Sequence, residues 1–146
     1  KRRRVYVKNC LIEGGVDFVF GGAEAFSEDC EFRSVEPGYV FAPCTPEGQE
    51  EGFVCLNCRF TSVFSLEAES CYLGRPWRDF AKVRLENCYL GAHIKKEGWH
   101  DWNKPLARER SRFVEIGSYG PGAEHAARPE WVEFRPKKDW KGEQTS

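Results

Sequence analysis

Four ten-residue stretches repeat one alternation of apolar and polar positions: VYVKNCLIEG (5–14), AFSEDCEFRS (25–34), FVCLNCRFTS (53–62) and VRLENCYLGA (83–92). Counted from the shared cysteines Cys10, Cys30, Cys58 and Cys88, position −5 holds Val5, Ala25, Phe53 and Val83. Position −3 holds Val7, Ser27, Cys55 and Leu85, and position +2 holds Ile12, Phe32, Phe60 and Leu90. Apolar residues at every second position predict a half-buried strand. The apolar set changes parity between −3 and 0, where Asn9, Asp29, Asn57 and Asn87 stand. Short Asx side chains satisfy backbone groups locally and tolerate unusual dihedrals, so each repeat reads as strand, bend, strand.

The cysteines at this phase lie 20, 28 and 30 residues apart, a period typical of solenoid coils. Coils stacked about 4.8 Å apart place like residues above like and bury one continuous core. The expected fold is therefore an all-β parallel β-helix with a cysteine column inside and an Asn/Asp column at one corner. A β-sandwich would not require the same dipeptide at the same phase of every repeat. No long 3.6-residue periodicity predicts helix. Residues 1–122 are read as coils and 123–146 as a C-terminal cap or tail. Within the tail, 117–122 is a Gly-rich loop, 123–128 one helical turn, and Trp131 and Phe134 pack as a cap. From Lys137 onward fraying is expected.

With 146 residues, 40% apolar and 21 of them Phe, Trp or Tyr, the chain carries enough apolar mass for one packed domain. No apolar run reaches the roughly 20 residues of a membrane helix. A net charge of −1 lacks the basic excess of a nucleic-acid or anionic-membrane binder. The basic start (1–4) leads into a strand pattern, not into the apolar stretch of a signal peptide. Met is absent throughout, which suggests a chain that begins part-way through a larger gene product. Seven cysteines cannot all pair within one chain. The C-x-x-C at Cys55 and Cys58 has no second ligand pair, and His93, His100 and His125 are scattered, so buried free thiols are expected and no metal or cofactor.

Two segments concentrate candidate chemistry. In GGVDFVFGG (14–22), Asp17 sits inside an apolar strand, a costly position unless it is paired, and flanking glycines permit close approach of another chain or a ligand. In YLGRPWR (72–78), Arg75 offers a planar fork for a carboxylate and Trp77 a flat face of the kind sugars stack on. Each also has a plainer reading, a structural Asp bond and an ordinary loop. Together they suggest an Asp17–Arg75 ion pair in a groove.

These residues resemble a known family. VDFVFG (16–21) is similar to the D-F-[IV]-F-G motif of pectin methylesterases, and LGRPW (73–77) to their L-G-R-P-W. APCTPEG (42–48), EGWHDWN (97–103), GPGA (120–123), Arg128 and Trp131 also resemble that family, in its bacterial-type form. The resemblance spans nearly the whole chain. It implies a right-handed parallel β-helix of secreted carbohydrate esterases that need no cofactor, generally act as monomers, and take methylated homogalacturonan as substrate. It implies Asp17 as nucleophile, Arg75 as the residue that holds and aims its carboxylate, and Phe20, Trp77 and Trp99 as substrate contacts along the cleft.

One departure stands out. The family carries a second Asp as acid and then base, in a Q-D-T-L segment one coil before the nucleophile, and glutamines for the oxyanion. The 16 residues before Asp17 hold neither Asp nor Gln, and Glu13 is close in sequence but lies on the wrong repeat. The expectation is a β-helix truncated on its N-terminal side, carrying the nucleophile and half of the cleft. The alternative is a catalytically incomplete pectin-binding module or pseudoenzyme.

Overall fold

The computed structural model describes residues 4–136. The first coil contains β1 (Arg4–Lys8), β2 (Leu11–Gly14) and β3 (Val19–Gly21). The second contains β4 (Glu24–Glu28), β5 (Glu31–Ser34) and β6 (Gly38–Pro43), and the third β7 (Phe53–Leu56), β8 (Arg59–Ser62) and β9 (Cys71–Gly74). The fourth contributes β10 (Lys82–Glu86) and β11 (Tyr89–Leu90), the fifth β12 (Arg112–Ile116), and β13 (Glu133–Arg135) opens a sixth rung. Like strands stack on like in three sheets, ordered β1-β4-β7-β10-β12-β13, β2-β5-β8-β11 and β3-β6-β9. Among the described residues all ten strand pairings are parallel. This is the parallel β-helix that the repeats predict.

The register matches the sequence alignment residue for residue: Val5 lies beside Ala25, Ala25 beside Phe53, and Phe53 beside Val83. Each corner adopts the left-handed region, with φ of 55° at Asn9, 53° at Asp29, 56° at Asn57 and 55° at Asn87. Asn and Asp visit that region more readily than other residues bearing a Cβ, which is why they recur where the parity changes. A fifth corner follows the same rule with Gly117 at φ 72°, and Ser118 then stands where the other coils have Cys.

The interior is a set of columns. Phe32 and Phe60 stack at 5.0 Å and 9°, with Phe41 against both. Each such ring contributes about 1.5–3 kcal/mol by leaving water. All seven cysteines are free, and Cys30, Cys55, Cys58, Cys71 and Cys88 are buried. The thiols of Cys30, Cys58 and Cys88 point to the carbonyls of Val7, Ser27 and Cys55, one coil earlier, at 3.7, 3.5 and 3.6 Å. Burial pushes the Cys55 and Cys88 thiols well above their ordinary range. Cys10 departs from expectation: it is exposed, because β2 is the outermost strand of its sheet and no described coil covers it.

His93, just beyond β11, is 3% exposed, and its Nε2 has no hydrogen-bond partner. Burial holds this imidazole down at about 4. At the fifth coil, Glu115 occupies an inward position beside Leu85 and is fully buried. It is satisfied by Arg128, through Nε at 2.7 Å and Nη2 at 3.1 Å, and by the Trp99 indole N–H at 2.8 Å.

The tail makes its expected turn as a 3-10 helix at His125–Ala127, and Trp131 packs on Phe113 at 5.7 Å. Phe134 stacks on His125 at 4.4 Å while lying within β13, so this segment extends the first sheet as well as capping it. The expected fraying from Lys137 concerns residues outside those described. One short helix, α1 (Pro105–Arg110), interrupts the fourth coil with Pro at its start, a position where the missing N–H costs nothing. Among the described residues no helix is long and apolar enough to cross a membrane.

Candidate active site

The third sheet and the loops leaving it build a groove. Asp17 occupies the turn between β2 and β3 at φ 51°, and its N–H donates to the Tyr39 carbonyl at 2.7 Å. Close packing demands one of the glycines that precede it: a Cβ on Gly14 would lie 2.2 Å from the Phe18 Cβ. One coil beyond β6, Arg75 leaves the end of β9 with its N–H bound to the Phe41 carbonyl at 3.0 Å.

The two side chains meet as predicted. Arg75 Nε donates to Asp17 Oδ1 at 3.1 Å and Nη2 to Oδ2 at 2.8 Å, a fork-to-fork pair that fixes the carboxylate in both distance and plane. Both remain accessible, at 18% for Arg75 and 23% for Asp17. The guanidinium lies between two rings, 3.9 Å from the centroid of Tyr39 and 3.8 Å from that of Trp102. Each ring face adds about 0.5–2 kcal/mol of attraction to the cation. An arginine so clamped cannot follow another partner without losing both faces.

A cavity of about 320 Å³ opens beside the pair, lined by Asp17, Phe20, Ala42, Trp77 and Trp102. Phe20, 62% exposed, and Trp77 face each other at 6.0 Å, and the Trp77 N–H is tied to the Pro43 carbonyl at 2.9 Å. An aromatic-walled groove with a carboxylate at its floor suits a ligand with apolar ring faces and an electrophilic carbon. Among the residues lining it, Asp17 is the one carboxylate.

Trp99 does not stand where the sequence reading put it. It is 1% exposed, stacks on Phe113 at 4.6 Å and pairs in register with Gly74. The side chain turns inward because Gly74 leaves it room: a Cβ there would lie 3.0 Å from Trp99 Cζ3. Its place on the cleft wall is taken by Trp102, whose backbone is left-handed at φ 56°, as is that of Asn103 at 54°. Tyr39 was missed as well. It stacks on Tyr72 at 5.0 Å, and His100 closes on both rings at 6.3 and 5.3 Å. Burial, with smaller contributions from Glu97 and Tyr39, raises the Tyr72 hydroxyl above its ordinary range. A signal for this pair was available, since YVFAP (39–43) and YLGRP (72–76) share Tyr and Pro at one spacing.

Glu13 lies on β2, in a different sheet from β3, and pairs with Arg33 at 3.0 Å, so it does not serve the groove. Among the described residues no group of three or more His, Cys, Asp or Glu is arranged to hold a metal.

Fold and site together define a parallel β-helix protein with an arginine-clamped carboxylate in an aromatic groove. The sequence profile of the family described as Pectinesterase matches residues 1–145, and the chain belongs to that family. It is 36% identical over 127 residues to Pectinesterase 31 of Arabidopsis thaliana, covering 86% of this chain and 39% of that protein. Among solved structures it resembles the pectin methylesterase from carrot, with a TM-score of 0.85 and 25% identity over 99% of this chain and 54% of that one. It also resembles a pectin methylesterase solved in complex with a hexasaccharide, with a TM-score of 0.76 and 27% identity over 94% of this chain and 48% of that one. The chain thus spans about two fifths of the length of a curated relative such as Pectinesterase 31.

Proposed function

We propose that this chain supplies the nucleophile and the aromatic half of the cleft of a pectin methylesterase acting on methylated homogalacturonan outside the cell. The observation that carries the reading is the bidentate Arg75–Asp17 pair at the floor of an accessible groove. A ring seated between Phe20, Trp77 and Trp102 brings its methyl ester over Asp17. An Asp17 oxygen adds to the ester carbonyl, the C–O bond to methoxide breaks, and the departing group takes a proton to leave as methanol. Water then attacks the acyl-enzyme, returning the Asp17 carboxylate and a free galacturonate carboxyl. Arg75 keeps the attacking oxygen aimed through both steps, a task a lysine's single ammonium cannot repeat. No group in the reaction is a metal or an organic cofactor, and we take the active unit to be a monomer.

The proton donor and the oxyanion donors fall outside the groove-lining residues described here. We take them to stand on a coil stacked against β3, which is an edge strand of its sheet. A general acid is typically worth about 10²–10⁴-fold and an oxyanion donor about 10²–10³-fold. Because the groove presents a single carboxylate, a second reading also has support: a pectin-binding β-helix module without turnover.

The test joins the N-terminal coils of a related esterase in frame ahead of Lys1 and measures methanol release from highly methylated pectin. Turnover is expected, and Asp17→Asn abolishes it while oligogalacturonide binding persists. Binding with no turnover in the joined protein supports the module reading. Full turnover by the Asp17→Asn variant overturns the assignment of the nucleophile.

A further inference from the structure

The short turn that carries Trp102 is held by side chains, and one of them is an imidazole acting as acceptor. The Trp102 backbone N–H donates to His100 Nδ1 at 3.0 Å. The next N–H, that of Asn103, donates to Asp101 Oδ1 at 2.8 Å, and Asp101 Oδ2 accepts from Arg108 Nε at 2.8 Å. Trp102 and Asn103 are consecutive left-handed residues, and that backbone region disfavours a side chain as bulky as Trp unless other bonds support it. The turn therefore depends on these two bonds, and the Trp102 ring that covers Arg75 depends on the turn.

A ring nitrogen accepts a hydrogen bond only when it carries no proton. Protonated at Nδ1, His100 would present N–H against N–H, and the support of Trp102 would become a repulsion. We propose that His100 is a positioning residue that acts through Trp102: in its neutral form it holds the indole over Arg75, and its protonation releases the indole and opens the groove wall. The consequence for substrate rests on the function proposed above, whereas the coupling of His100 to Trp102 does not.

Titratable and charged groups surround His100, and Asp101 feels its charge directly. Tyr39 and Tyr72 face its ring, Arg75 stands beyond Tyr39, and Lys95 lies against the far partner, Tyr72, at 5.4 Å. Glu97 acts on Tyr72 through its charge. The Asp101 carboxyl is pushed up by burial, but its bonds to Arg108 and the Asn103 N–H outweigh this and hold it below the usual carboxylate range. It therefore keeps its charge while an imidazole titrates.

The test follows the Trp102 backbone amide and indole N–H by ¹H–¹⁵N NMR as the pH is lowered from about 8 to about 5, alongside the His100 ring protons. In the unaltered chain, Trp102 is expected to shift on the same titration curve as His100. His100→Asn places an amide oxygen where Nδ1 stood and does not titrate, so Trp102 should hold its high-pH position throughout. His100→Phe keeps the ring contacts but offers no acceptor, so Trp102 should sit near its low-pH position at every pH. In the joined protein, the affinity for methylated oligogalacturonides should fall about tenfold one pH unit below that midpoint, following the competent fraction, and stay level in His100→Asn. A Trp102 resonance that ignores the His100 titration, or that titrates unchanged in His100→Asn, overturns the proposal. Absence of oligogalacturonide binding at any pH, with the NMR coupling intact, counts against the proposed function and leaves the role of His100 standing.

Discussion

Replacing His93 by Gln should make the protein markedly more resistant to acid. The imidazole is 3% exposed, its Nε2 is without a partner, and burial lowers its pKa from the ordinary 6.5 to about 4. In the unfolded chain it titrates near 6.5, so between pH 6.5 and 4 the unfolded state binds more protons than the native one. Stability therefore falls as the pH falls through this window, by about 1.4 kcal/mol per unit. Summed over the window, the loss is about 3 kcal/mol, and below pH 4 the term is constant. Urea unfolding followed by near-ultraviolet circular dichroism at steps between about pH 7.5 and 4 measures it. Glu31, held low by the Thr61 hydroxyl, and Glu133, held low by Arg112, also lose stability on acidification, but equally in both proteins. The difference between the two stability curves isolates His93: it should widen by about 3 kcal/mol on going from pH 7 to pH 4. Parallel curves would refute the reasoning and mean that the ring finds a proton acceptor on charging.

Other consequences are open to direct measurement. Arg128→Met should cost about 3–5 kcal/mol in thermal or chemical unfolding, because it strips the charge partner from the fully buried Glu115; a loss under 1 kcal/mol would refute the account of Glu115 and Arg128 as a mutually dependent buried pair. Asn57→Ala, at φ 56°, should destabilise by about 1–2 kcal/mol and Asn57→Gly far less, and equal losses would deny the conformational account of the corners. A thiol reagent should modify Cys10 in the native protein and Cys30, Cys58 and Cys88 only after unfolding. Cys58→Ser should cost about 1–3 kcal/mol, since the shorter C–O bond draws the hydroxyl away from carbonyls already 3.5 Å from the sulfur.

The sequence revealed most where the helix repeats itself. The parity change at Asn9, Asp29, Asn57 and Asn87 located the corners, because few other residues adopt that conformation at low cost. The Asp17–Arg75 pair was also legible, since an acid within an apolar strand demands a partner and Arg75 offered the matching geometry. The fifth coil was hidden because Gly117 and Ser118 replace the Asn–Cys signal and Glu115 puts a charge at an inward position. That charge makes sense only beside Arg128, 13 residues later. Trp99 and Trp102 were exchanged for a related reason. Which indole faces the groove is decided by the register of Trp99 with Gly74 and by two left-handed residues, and neither is written in local composition. The exposure of Cys10 depends on what lies against β2, which no pattern within the repeat encodes.

The parallel register has a consequence for how the groove can diversify. Paired residues lie 20 apart between β1 and β4, 28 between β4 and β7, 30 between β7 and β10 and 19 between β12 and β13. Closing a longer loop costs only about 0.6 kcal/mol for each doubling of its length, so this whole range spans about 0.4 kcal/mol. The excess residues fall in the segments between strands, including 75–81, which carries Trp77, and 91–111, which carries Trp102. Insertions and exchanges there leave the corner ladder and the cysteine column untouched. Added loop length on the wall that meets a ligand therefore carries almost no entropic penalty, while the floor bearing Asp17 stays locked to the stack.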